Sequence, residues 1–157
     1  MLATTPLRCC TFRIGPSCFA LPTASIVEVL RGGRLARVPQ APEGVLGLMH
    51  LRGRIVPVVD PAARLGIDRL PAAGGAHLVI AVHDDWYGLA IDDMLDVVEI
   101  PPADVEPAGG ETTADAVAGV YAAPDRLVHL LDPGRMIQSL GRPRPQASER
   151  QGSHGRP

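Results

Sequence analysis

The chain has no lysine; all fifteen of its basic residues are arginine, a pattern that reads as coding bias rather than a functional demand. Set against seventeen acids they leave a net charge of −2, so nothing draws the whole molecule toward nucleic acid or anionic lipid. Aromatic residues are scarce, with one Trp, two Tyr and two Phe. Base stacking therefore has little to work with, and any core must be aliphatic. The three cysteines, Cys9, Cys10 and Cys18, are odd in number and lack zinc-type spacing, so they read as reduced thiols on strands. No apolar run approaches the length of a membrane span, and Met1 to Arg8 lacks the apolar centre of a signal peptide, so a cytoplasmic protein is expected. At 157 residues the chain suffices for one domain or two tightly joined subdomains.

What is present is a duplication. Thr11-Phe12-Arg13-Ile14, a turn at Gly15-Pro16-Ser17, Cys18-Phe19-Ala20-Leu21 and Ile26 to Leu30 return 68 residues later as Val79 to Val82, a turn at His83-Asp84-Asp85, Trp86 to Leu89 and Met94 to Val98. Arg54 to Pro61 returns 72 residues later as Arg126 to Pro133. Each half is a β module of roughly 60 to 70 residues, marginal alone and better buried against its twin.

Turn residues divide each half into strands. Cys10 to Ile14 and Cys18 to Leu21 form a hairpin around Gly15-Pro16, Ile26 to Leu30 a third strand, and Val45 to Leu51 with Ile55 to Val59 a second hairpin around Arg52-Gly53-Arg54. Leu78 to Val82, Tyr87 to Ile91, Leu95 to Ile100, Val117 to Ala122 and Leu127 to Leu131 repeat the set. Asp60-Pro61 and Asp132-Pro133 each open a short helix, with Asp capping free amides and Pro pre-set for the first turn. Pro101 to Asp115 reads as a mobile loop, and 141–157 as a disordered tail. The fold class is therefore mainly β: two five-stranded SH3-like barrels side by side, with halves at roughly 8–75 and 76–140 that allow the chain to cross between barrels.

Reactive constellations are absent from the sequence. His77, His83, Asp84 and Asp85 read as turn formers rather than metal ligands. Asp60 and Asp132 are explained by capping, and no nucleophile elbow or phosphate loop occurs. No enzyme activity, cofactor or metal is expected.

The residues Phe19-Ala20-Leu21-Pro22, Ile26 to Leu30, Val38-Pro39-Gln40-Ala41-Pro42 and above all Val45 to Asp60 resemble the CheW-like domain of bacterial chemotaxis coupling proteins. Tyr87 to Asp92, Val117 to Val120 and Leu127 to Asp132 extend the resemblance to about Leu140. The chain departs from the family pattern at His50, where Asn is usual, and at Pro61, where Leu is usual. The resemblance implies two five-stranded barrels, no catalysis, and an adaptor whose partners are the regulatory domain of a CheA-type histidine kinase and the cytoplasmic signalling tip of a chemoreceptor. An adaptor of a noncanonical motility or surface-sensing pathway is the alternative, and a small-ligand or enzymatic barrel the lesser one.

The site residues follow from that resemblance. Arg52, beside Gly53 in a tight turn, corresponds to the receptor-contacting Arg; Glu28 lies on the coupling surface or pairs internally, with Arg52 as a candidate. Ile26 shares its strand face and reads as surface or core. Gly47 lies near the kinase-facing surface or marks a bulge, as Gly88 does. Met94 and Val97 match the receptor-facing surface of the second half, or else pack as core.

Overall fold

A computed structural model describes residues 5–62, 64–68, 75–108 and 116–140. Eleven strands follow in order: β1 (Leu7–Ile14), β2 (Ser17–Pro22), β3 (Ile26–Arg31), β4 (Val45–Leu51), β5 (Arg54–Val59), β6 (Ala76–Val82), β7 (Asp85–Ile91), β8 (Asp93–Ile100), β9 (Val105–Pro107), β10 (Val117–Ala122) and β11 (Leu127–Leu131). A single α-helix, α1 (Pro133–Leu140), closes the described chain. Every strand inferred from apolar runs and turn signals is present.

The strands form two sheets, and each draws on both halves of the sequence. One runs β8-β1-β2-β11-β10-β9, the other β3-β6-β7-β5-β4. The opening hairpin of each half is thus exchanged: β1 and β2 pair with strands of the second half, while β6 and β7 pair with strands of the first. Both exchanged hairpins join their new sheet through one antiparallel and one parallel contact, β1 with β8 and β2 with β11, β6 with β3 and β7 with β5. Separating the two halves would break both sheets. We call the barrel built on β3 to β7 the inner barrel and the one built on the outer strands the outer barrel.

Three apolar clusters follow from the alternation of side chains across strands. Phe12, Ile14 and Leu21 of the outer barrel meet Leu78, Ile80, Leu89 and Ile91 of the inner one in the largest cluster, the seam between them, and α1 seals it with Met136 and Ile137. Cys9, Ala20, Ile100, Val128 and Leu130 fill the outer barrel. Met49, Val56, Val58 and Val79 fill the inner one.

Three details differ from expectation. The outer sheet has six strands rather than five, because Val105–Pro107, inside the span read as a loop, pairs with β10; Ala36 makes the matching single bridge to Leu48 in the inner barrel. The described residues after Asp60, 61–62 and 64–66, make turns rather than a helix: Asp60 Oδ1 accepts the Ala62 amide, Leu65 N bonds back to Pro61 O, and Gly66 takes φ +74°. Its counterpart Asp132 does cap a helix, accepting from the Arg135 amide. The expected tail, 141–157, lies outside the described residues, as does 109–115 of the expected loop. Among the described residues no helix is long and apolar enough to cross a membrane.

Candidate protein-binding surface

Arg52 and Gly53 are the two central residues of the β4–β5 hairpin, and both take positive φ, +53° and +79°. Two residues with that sign make the turn whose twist matches the flanking strands. Glycine adopts it freely; Arg52 does so at a cost the hairpin must bear. The turn projects the guanidinium toward β3, where its Nη2 lies 2.5 Å from Glu28 Oε1. The Arg52 side chain stays 62% exposed while Glu28 is 24% exposed, so the acid is the anchored member and the arginine presents its remaining donors outward.

The second arginine of this hairpin is committed elsewhere. The guanidinium carbon of Arg54 sits 4.2 Å from the centroid of the Trp86 ring, and Arg54 Nη1 donates to Asp84 O at 3.1 Å. Arg54, Ile55, Pro57, Asp84, Trp86 and Tyr87 line a shallow depression of about 410 Å³ there.

A matching acid–arginine pair exists in the outer barrel. Asp96 is the repeat counterpart of Glu28 and Arg126 that of Arg54, and Arg126 Nη2 donates to Asp96 Oδ1 at 2.7 Å. Thr11, fully buried, donates its hydroxyl to Asp96 and accepts the Asp96 amide at 3.0 Å. That hydroxyl, with Arg126 behind it, holds the Asp96 carboxyl below the usual carboxylate range.

Aliphatic side chains lie exposed in equivalent places. Val29 on β3 (36%) matches Val97 on β8 (54%), and Ile55 on β5 (60%) matches Leu127 on β11 (56%). Leu95 at 37% and Leu7 at 43% are exposed as well, without exposed counterparts in the other half. Each barrel thus shows at least one apolar residue on its β3-type strand and one at the start of its β5-type strand. Single exposed aliphatics are ordinary on protein surfaces; here four of them fall at equivalent positions of the two repeats.

The residues singled out from sequence fall into three groups. Glu28, Arg52 and Gly53 come together in one turn-and-strand corner. Ile26 and Met94 are equivalent, half-buried, and pack against the seam, each at the start of its strand. Val97 stands out in solvent. The two glycines are steric: a Cβ on Gly47 would lie 2.8 Å from Ala36 O, and one on Gly88 3.1 Å from Val58 Cγ2 inside the inner barrel. A β-bulge does fall between Val45 and Gly47, and Gly119 repeats it opposite β9. Sequence reasoning missed Val29, Ile55, Leu95, Leu127 and the Asp96–Arg126 pair. Aligning the two repeats would have found the acid–arginine pair, since Asp96 and Arg126 fall on Glu28 and Arg54, but the exposure of the aliphatic residues carries no local signal.

Burial pushes the Cys9 thiol up to about 11, with neighbouring Cys10 adding to the effect, and raises Cys18 as well. These cysteines are poor nucleophiles. Among the described residues no cluster of His, Cys, Asp or Glu has metal-binding geometry.

A family model described as the CheW-like domain matches residues 8–141. Protein FrzA of Myxococcus xanthus is 29% identical over 133 residues, 82% of this chain and 83% of that protein. The chemotaxis protein CheW of Helicobacter pylori is 29% identical over 124 residues, 76% of this chain and 74% of that one. Among solved structures, the scaffolding protein TtCheW from Thermoanaerobacter tengcongensis has the same fold, with a TM-score of 0.80 at 22% identity over 88% of this chain and 97% of that one.

Proposed function

Because the chain belongs to the CheW-like domain family, a family of chemotaxis coupling proteins, we propose that it is a noncatalytic cytoplasmic adaptor joining the signalling tip of a chemoreceptor to the regulatory domain of a CheA-type histidine kinase. The observation that carries this reading is the paired display of exposed aliphatic positions, Val29 with Val97 and Ile55 with Leu127, on two barrels of one build. Repeated apolar positions on a rigid sheet suit docking to other proteins, and thiols pushed up by burial are no reactive centre. The Arg52–Glu28 corner is the polar contact of the receptor-facing surface: Glu28 orients the guanidinium, whose outward donors meet a carboxylate or backbone carbonyls of a receptor helix. Ile26 and Met94 support β3 and β8 from the seam, Val97 meets the receptor in the second half, and the β4 strand at Gly47 faces the kinase.

A second reading has its own support. FrzA matches as large a share of the chain, at the same identity, as the CheW relative does, so an adaptor of a chemosensory pathway other than swimming chemotaxis fits the same surface.

The test is co-sedimentation of purified protein with the CheA-type kinase and receptor signalling tip of its own organism. Arg52→Glu should lose the receptor by tenfold or more while the kinase contact persists. Retention of both at wild-type strength would remove Arg52 from the interface.

A further inference from the structure

At the end of the inner barrel, away from the seam, β3 stops at Arg31 and Gly32-Gly33 lead out of the sheet with φ of +71° and +101°. The mouth left there holds a cavity of about 180 Å³. Its floor is apolar, formed by Leu30, Leu35 and the buried Met49; its rim carries Arg31, Arg34, His50 and His77. Among the described residues no carboxylate lines it. Among the described residues, no ion pair involves Arg31 or Arg34.

The outer barrel supplies the control. The repeat places Cys9 where the inner barrel has His77, Tyr121 for Met49, Glu99 for Arg31 and Ile100 for Gly32; the Ala36–Leu48 bridge, whose counterpart is the Glu106–Val120 pair, sets Asp104 at the place of Arg34. Ile100 and Cys9 are both fully buried and plug that mouth, and its rim is acidic. The same framework is therefore closed and negative at one end and open and positive at the other. Packing of the barrel does not need the open form, since the plugged one exists within the same chain.

We propose that the inner-barrel mouth binds a small free carboxylate, its charge held by Arg31 and Arg34 with His77 beside it, and its short apolar portion set on Leu30, Leu35 and Met49. The volume lies below the roughly 300–1,000 Å³ that admits drug-sized ligands, which limits the occupant to a few heavy atoms. Arginine suits a carboxylate through its planar fork of donors. Burial holds His77 below its usual range when the mouth is empty, and a bound anion opposes that shift, favouring the protonated ring. This site is distinct from the coupling surface, and its test requires neither receptor nor kinase.

The experiment is NMR titration of the full chain with acetate, butyrate and inorganic phosphate at fixed ionic strength. Saturable shifts confined to Leu30, Leu35, Met49 and His77 are expected, with butyrate about tenfold tighter than acetate for its two further buried methylenes. The His77 ring should titrate at higher pH when butyrate is bound. Arg31→Glu with Arg34→Asp, which copy the outer rim and alter only exposed residues, should weaken butyrate at least tenfold while resonances of the outer barrel stay in place. Shifts that do not saturate, that spread equally to Glu99 and Asp104, or that survive the charge reversal would overturn the site. Phosphate binding as tightly as butyrate would do so too, because the apolar floor would then contribute nothing.

Discussion

The two barrels satisfy the same need with different arginines. Each places an acid on its third strand type, Glu28 in the inner barrel and Asp96 in the outer, and each acid is paired. In the outer barrel Arg126 reaches Asp96 directly, because the position beside it is Cys18, which offers no ring. In the inner barrel the counterpart of Cys18 is Trp86, and Arg54 lies over its face instead. Glu28 then takes its cation from Arg52, a residue held at φ +53° in the turn. The outer barrel has Pro124 at that place, which cannot take a positive φ. One aromatic substitution between repeats thus accompanies the move of the charge partner onto the hairpin tip, where it faces outward.

The sharpest challenge to the equivalence of the barrels is steric. Gly47 and Gly119 hold the same bulge, and a Cβ there would lie 2.8 Å from Ala36 O or 2.6 Å from Val105 Cγ1, with Glu106 O at 3.0 Å. Gly47→Ala and Gly119→Ala should each destabilise by about 1–3 kcal/mol in urea unfolding, since a backbone oxygen cannot step aside as a side chain can. Gly88→Ala should cost less than about 1 kcal/mol: its nearest atoms are side-chain methyls of Val58 and Met49, and its counterpart Ala20 is fully buried without difficulty. A larger loss for Gly88→Ala than for Gly47→Ala would show that the repeats do not pack alike.

A smaller effect tests the rewiring. Trp86→Leu removes the ring under Arg54, freeing that arginine to approach Glu28 as Arg126 approaches Asp96. A double-mutant cycle between Glu28 and Arg52 should give about 0.2–1 kcal/mol in the parent and a smaller coupling with Leu at 86. Unchanged coupling would mean that Trp86 has no part in the choice of partner.

The smallest effect lies in titration. Thr11→Val deletes the hydroxyl that donates to Asp96, so the Asp96 carboxyl should titrate closer to its ordinary range, measured by carboxyl-carbon NMR. The sign is set by linkage: a carboxyl held low in the folded protein contributes stability at pH values above its unfolded range near 4, and loses it as pH falls through the folded value. The parent should therefore lose stability in acid slightly more steeply than Thr11→Val. No such dependence is expected from Thr11 variants if Asp96 answers only to Arg126.

Strand positions were legible because their causes are local. Apolar alternation, Gly15-Pro16, Arg52-Gly53 and the two Asp-Pro pairs act within a few residues, and all of them mark ends seen in the structure. The short β9 was not legible: Val105-Glu106-Pro107 has no alternation long enough to read, and it is ordered by the β10 edge beside it. Nor was the outcome after Asp60, where the cap to Ala62 is present yet the described residues 61–62 and 64–66 make turns instead of the expected helix. In the site, Arg52, Gly53 and Glu28 could be named in advance, whereas Val29, Ile55 and Leu127 look like core residues in any single strand. Their exposure depends on which face the partner strands cover.

By itself the sequence determined the duplication, the strand boundaries and the aliphatic character of both cores, because each rests on side-chain periodicity and turn chemistry close along the chain. Only the tertiary structure decided that β1 and β2 enter the sheet of the second half, that Arg52 rather than Arg54 meets Glu28, and that one barrel mouth is open. Those outcomes depend on pairings between residues tens of positions apart, where the same apolar pattern serves several partners and the packing of the shared seam selects among them.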